Sequence, residues 1–71
     1  MKAEKLSIDS EFIRLQDLLK LSGLCATGGM AKIVIQNGEV KVNGEVCTMR
    51  GKKLRGGDKA EYEENIIEVE Q

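Results

Sequence analysis

The residues of this chain whose chemistry stands out are cations. Arg14, Lys20, Lys32, Lys41, Arg50, Lys52, Lys53 and Arg55 all lie within residues 14–57, where eight Lys or Arg meet three acids, a balance of +5. Residues 58–71 reverse the sign, with Lys59 alone against Asp58, Glu61, Glu63, Glu64, Glu68 and Glu70. The formal net charge of −1 is thus a cancellation, and a basic face can exist on an acidic protein. A surface built only for solubility mixes its signs. Cations on short elements and glycine-bounded loops suit phosphate groups, whose neutralisation releases counterions and makes binding salt-dependent.

Other chemistries find less support. The chain has no histidine, so a nucleophile would need another base, and neither Cys25 nor Cys47 sits in an activating cationic helix start. Two cysteines without histidine also fall short of the four ligands of a structural zinc site, and they are too few for a disulfide scaffold. Both are expected as small apolar core residues. Gly23-Leu24-Cys25-Ala26-Thr27-Gly28-Gly29 approximates a phosphate loop, but Gly29 and Met30 stand where Lys and Ser/Thr must follow. Nucleotide hydrolysis is therefore rejected. Gly28 and Gly29 either offer N–H groups to one phosphate or only shape a turn. The aromatics are Phe12 and Tyr62. With Phe12 expected in the core and Tyr62 in the acidic end, base stacking on aromatic platforms is disfavoured. The reading implies no enzyme, no cofactor and no metal.

The elements that must position these residues are short. Leu6 and Ile8 alternate with polar neighbours across Glu4–Ile8, as in a half-buried strand. Asp9 or Ser10 can cap a helix beginning near Glu11, with Phe12, Leu15, Leu18, Leu19 and Ser22 along one stripe and Gly23 as its stop. Thr27 can cap a second helix that runs to Gln36. There Met30, Ile33, Val34 and Asn37 form one side, Ala31 and Ile35 widen its apolar stripe, and Lys32 and Gln36 stand four apart on one face. Gly38 suits the left-handed position past the helix end. Val40-Lys41-Val42, a tight Asn43-Gly44 turn and Glu45-Val46-Cys47 read as a hairpin. Arg50–Arg55 is a basic loop and Gly56-Gly57-Asp58 a turn. Lys59–Tyr62 and Ile66–Val69 are strands joined at Glu63-Glu64-Asn65. The fold class is α+β, two helices packed on a small, mostly antiparallel sheet. Seventy-one residues make one domain that buries only about 60% of its unfolded surface. The lysines near the N-terminus are followed by no apolar leader, and no run approaches the roughly 20 apolar residues of a membrane span. The cytoplasm is the expected location.

Arg14-Leu15-Gln16-Asp17-Leu18-Leu19-Lys20, then Lys32 through Asn43-Gly44, then Leu54-Arg55-Gly56-Gly57-Asp58 resemble the RNA-binding domain first named from ribosomal protein S-four. Gly28–Lys32, Val40–Gly44 and Arg50–Leu54 are similar to its small stand-alone bacterial form, the YaaA-like proteins. The likeness covers about residues 11–62. It implies the alpha-L RNA-binding motif, in which two helices and the following hairpin face structured RNA of the rRNA or tRNA type. Matching positions are Arg14, Lys20, Thr27, Lys32, Gln36, Lys41 and Asn43, and Arg50, Lys52, Lys53 and Arg55 join them by similarity to the stand-alone form. Asn43 has a second role in holding the hairpin turn. One departure is Gly28-Gly29-Met30, where many members carry a basic pair. The expected state is a monomer bound to structured, ribosomal-type RNA, without a membrane. An alternative is a protein-interaction adaptor that offers its acidic C-terminal strands to a partner.

Overall fold

The computed structural model describes residues 2–71. The elements in chain order are β1 (Lys2–Ser7), β2 (Ile13–Arg14), α1 (Leu15–Leu21), α2 (Gly28–Gln36), β3 (Val40–Val42), β4 (Glu45–Val46), β5 (Lys53–Leu54), β6 (Lys59–Tyr62) and β7 (Asn65–Glu70). Five strands form one sheet in the order β1-β7-β6-β3-β4, and β2 and β5 form a separate two-stranded ribbon. Only β1 and β7 run parallel; every other pair is antiparallel. Two helices on a mostly antiparallel sheet are the α+β arrangement that the apolar periodicity requires.

Period two along the strands sends Val40, Val42, Ala60, Tyr62, Ile67 and Val69 to one face, where all are buried. Leu15, Leu18 and Leu19 of α1 and Ala31, Val34 and Ile35 of α2 meet them there. Each such side chain, fully buried, contributes about 1.5–3 kcal/mol for the larger ones. Cys25 belongs to this core, and burial pushes its thiol up from the ordinary value, with Glu63 and Glu39 adding to the shift. Cys47 is half-buried at the core's edge. Gly38 has φ 78°, past the end of α2, and the Asn43-Gly44 turn has φ 52° and 86°, the geometry that joins β3 to β4 in two residues.

Several expectations give way. The first helix begins at Leu15, not Glu11, and Ser10 donates to the Phe12 carbonyl at 2.8 Å instead of capping a helix. Ile13 and Arg14 form β2, because their alternation in burial matches a ribbon and a partner strand waits at Lys53–Leu54 inside the presumed loop. Phe12 is half-buried and outside the core. On α2, Met30 and Ile33 turn to solvent at 38% and 59% exposure, while Ala31, Val34 and Ile35 take the inner side. The first strand spans Lys2–Ser7 rather than Glu4–Ile8. The acidic strands β6 and β7 lie inside the sheet, paired on both edges, so they offer no edge to a partner strand. The free edges are β1 and the two-residue β4. No described helix is long and apolar enough to cross a membrane.

Candidate nucleic-acid interface

Of the eight cations, Arg14 and Lys53 lie on the β2–β5 ribbon and Arg50, Lys52 and Arg55 flank β5. Ile13 faces Leu54 and Arg14 faces Lys53 across the antiparallel ladder. Ile13 and Leu54 are buried, so Arg14 and Lys53 point outward together. Main-chain bonds extend the zipper into α1. Leu15 N–H donates to the Lys52 carbonyl at 2.8 Å, and Gln16 N–H donates to the Arg50 carbonyl at 3.1 Å. The first N–H groups of a helix have no partner inside it, and here the basic loop supplies two. Arg14, at the N-cap, makes no side-chain cap bond, since its guanidinium has donors but no acceptor to offer, so the loop carbonyls take that part. These bonds also fix the backbone at Arg50 and Lys52 beside the start of α1.

Like charges directly opposite on a ladder repel, yet Arg14 and Lys53 are so placed. Phe12, just before β2, relieves part of this. Its ring centroid lies 4.9 Å from Lys53 Nζ and 5.8 Å from Arg55 Cζ. Such contacts contribute about 0.5–1 kcal/mol at exposed sites. Among the described residues the one ion pair is Lys5 with Glu70, at 3.5 Å. No carboxylate therefore pairs with any of the eight cations between residues 14 and 57. Asp58 comes nearest in effect. Its carboxyl is held below the usual range chiefly by the Arg55 N–H, aided by Asn43 and by the charges of Lys52 and Arg55, while partial desolvation works the other way. Its Oδ2 accepts from Arg55 N–H at 2.8 Å and its Oδ1 from Asn43 Nδ2 at 3.1 Å.

The second helix adjoins this ribbon through Gln16. A Cβ on Gly28 would lie 3.0 Å from Gln16 Nε2, so the glycine lets the two helix starts approach. Thr27 caps α2 by accepting the Met30 N–H at 3.1 Å. Lys32 and Gln36 stand one turn apart on the exposed side of α2.

Three expected site residues lie apart. Lys41 is on the outer face of the main sheet, directly opposite Glu61. Asn43 spends its amide internally, with Nδ2 on Asp58 and Oδ1 accepting the Lys59 N–H at 3.0 Å. Lys20 sits in the last turn of α1, and with Arg14 and Asp17 it lines an open groove beside Phe12. Sequence reasoning passed over Phe12 and Gln16. The alternation of Phe12 and Arg14 against Ile13 and Leu15 was the signal for Phe12. Nothing local marks Gln16, whose neighbours come from distant segments.

Comparison with known proteins gives this arrangement relatives. A curated protein of Bacillus subtilis, which carries the name "Probable ribosome maturation protein RlbA", is 46% identical over 61 residues, covering 86% of each chain. YbcJ of Escherichia coli, which carries the name "Putative RNA-binding protein", is 39% identical over 57 residues, covering 80% of this chain and 81% of its own. The solution structure of E. coli YbcJ, described as revealing an alfaL motif involved in RNA-binding, superposes with a TM-score of 0.71 at 34% identity, over all of this chain and 89% of that one. Residues 6–70 match the S4 domain. From Leu6 to Glu70, then, the chain belongs to the S4 domain family.

Proposed function

We propose that this domain is a non-catalytic binder of structured RNA, ribosomal in type, and that the β2–β5 ribbon with the exposed side of α2 is the contact surface. Arg14, Arg50, Lys52, Lys53 and Arg55 contact backbone phosphates, Lys32 extends the track along α2, and Gln36 offers a polar edge. Thr27 serves mainly by setting the start of α2. Lys20 contributes at the groove beside Arg14. Lys41 and Asn43 are peripheral, the first facing Glu61 and the second committed to Asp58. Family membership, relatives named for RNA binding and ribosome maturation, and a cationic ribbon without carboxylate partners support this reading. The last of these carries it. Folded RNA presents closely spaced phosphates that can be read by shape, and a rigid ribbon presents its charges at fixed spacing.

Reversal of Lys52 and Lys53 to Glu tests the surface. Filter binding against a ribosomal hairpin should show affinity falling at least about tenfold, with a shallower salt dependence. Both side chains are exposed, so the Tm should move by only a few degrees. Unchanged affinity in the folded variant would overturn the reading.

A further inference from the structure

We propose that the groove between the segment leading into β2 and the flank of α1 receives one unpaired nucleobase of the bound RNA, stacked on Phe12, with that nucleotide's phosphate on Arg14, Lys53 and Arg55. This rests on the RNA-binding reading and specifies which feature of the RNA the surface selects.

Phe12 is the starting observation. It is one of two aromatic residues in the chain, and it lies outside the core although Tyr62 is buried within it. One side of its surroundings is cationic, through Lys53 and Arg55. It also lines an open groove of about 510 Å³, with Leu21, 66% exposed, as another apolar wall. That volume falls within the range of small-ligand sites.

Charge divides the two halves of the site. The charged residues that line the groove, Asp9, Asp17, Arg14 and Lys20, carry no net charge together and make no ion pair among the described residues, so the concavity as a whole does not favour an anion. Apolar walls with acceptors and donors at the margin suit a neutral heterocycle, whose exocyclic amino and carbonyl groups they can meet. On the ribbon, Arg14, Lys53 and Arg55 have no carboxylate within ion-pair distance among the described residues. That side suits the phosphate, which guanidinium groups bind through paired N–H donors. Phe12 lies at the boundary, where a nucleotide changes from base to backbone.

The site is also held in shape. Gln71 Nε2 donates to the carbonyls of Ser10 at 2.9 Å and Glu11 at 2.7 Å, while its Oε1 accepts the Gly56 N–H at 2.7 Å. One side chain thus ties the residues just before Phe12 to the residue just after Arg55. Ser10 Oγ donates to the Phe12 carbonyl at 2.8 Å. Less ordering is then left for the moment of binding.

The test uses the full chain and two RNA hairpins with the same stem, one fully paired and one with a single bulged nucleotide, at about 0.15 M salt, where long-range attraction is screened. The bulged RNA should bind at least about fivefold tighter, as stacking of one base implies. Phe12→Leu should erase that preference, so that the two hairpins bind it alike, and Phe12→Tyr should retain the preference. As a readout independent of any variant, 2-aminopurine in the bulge should lose fluorescence on binding the wild-type protein. Equal, salt-dependent binding of both hairpins, or a preference surviving in Phe12→Leu, would overturn the base site and leave the RNA-binding reading standing. Salt-dependent binding to neither hairpin would overturn both. Micromolar saturation by a free nucleoside monophosphate would assign the groove to a soluble nucleotide and overturn its assignment to RNA.

Discussion

At the residue scale, the Asn43–Asp58 pair is a polar contact that ties the proposed binding surface to the hairpin turn. Asn43 adopts φ 52°, a conformation that Asn tolerates better than most residues. Its side chain then reaches Asp58 and the Lys59 N–H, joining the hairpin turn to the turn that ends the cationic ribbon. Asp58 returns the restraint through the Arg55 N–H. Replacing Asp58 with Ala deletes two hydrogen bonds worth about 1 kcal/mol each, and for a domain of this size each such loss lowers the Tm by about 4–8 °C. The pH dependence has a definite sign. The carboxyl titrates lower in the folded state than in the unfolded chain, whose reference value is about 3.9. Its contribution is therefore complete above that value and disappears as pH falls through the folded-state value. Urea unfolding should show wild type more stable than Asp58→Asn at neutral pH and the gap closing below about pH 4. A gap that stays constant into acid would show that the carboxylate's charge contributes nothing.

At the element scale, the two helices differ in what fixes their ends, and this difference decided how legible they were. α2 carries its punctuation locally. Thr27 caps it and Gly38, at φ 78°, follows its end, so its span could be read directly from residues 27–38. Thr27→Ala should cost about 1 kcal/mol and lower the Tm by about 4–8 °C, with Thr27→Ser retaining most of the stability. Calorimetry of the two variants checks this, and equal Tm values for Ala and Ser would remove the cap as a cause. α1 begins where distant carbonyls of Arg50 and Lys52 meet its free N–H groups, a pairing that no local window contains. Reading Asp9 or Ser10 as its cap therefore placed the start too early. The same tertiary pairing converted part of the basic loop into β5 and drew Phe12 out of the expected core. The cationic residues were legible from composition; the pairing of Arg14 with Lys53 was not.

At the scale of the whole molecule, the distribution of charge over two faces matters more than its sum. The main sheet turns its outer face away from the helices and mixes signs there, with Lys41 opposite Glu61, Lys59 opposite Glu68, and Lys5 paired to Glu70. Lys32 stands on the far side, on the exposed flank of α2. The molecule measures 28 × 23 × 21 Å, whereas the screening length is about 8 Å at physiological salt. Opposite faces are thus more than a screening length apart, and a phosphate docked at the helices responds weakly to the outer face of the sheet. Lys32→Gln and Lys59→Gln change the net charge equally, so comparing them separates local contact from overall charge. At about 0.15 M salt Lys32→Gln should weaken RNA binding several-fold and reduce the salt slope by about one contact, while Lys59→Gln stays within about twofold. At about 0.01 M the screening length grows to about 30 Å, longer than the molecule, and the two variants should converge. If they weaken binding equally at the higher salt, net charge rather than the ribbon-and-helix surface governs recognition.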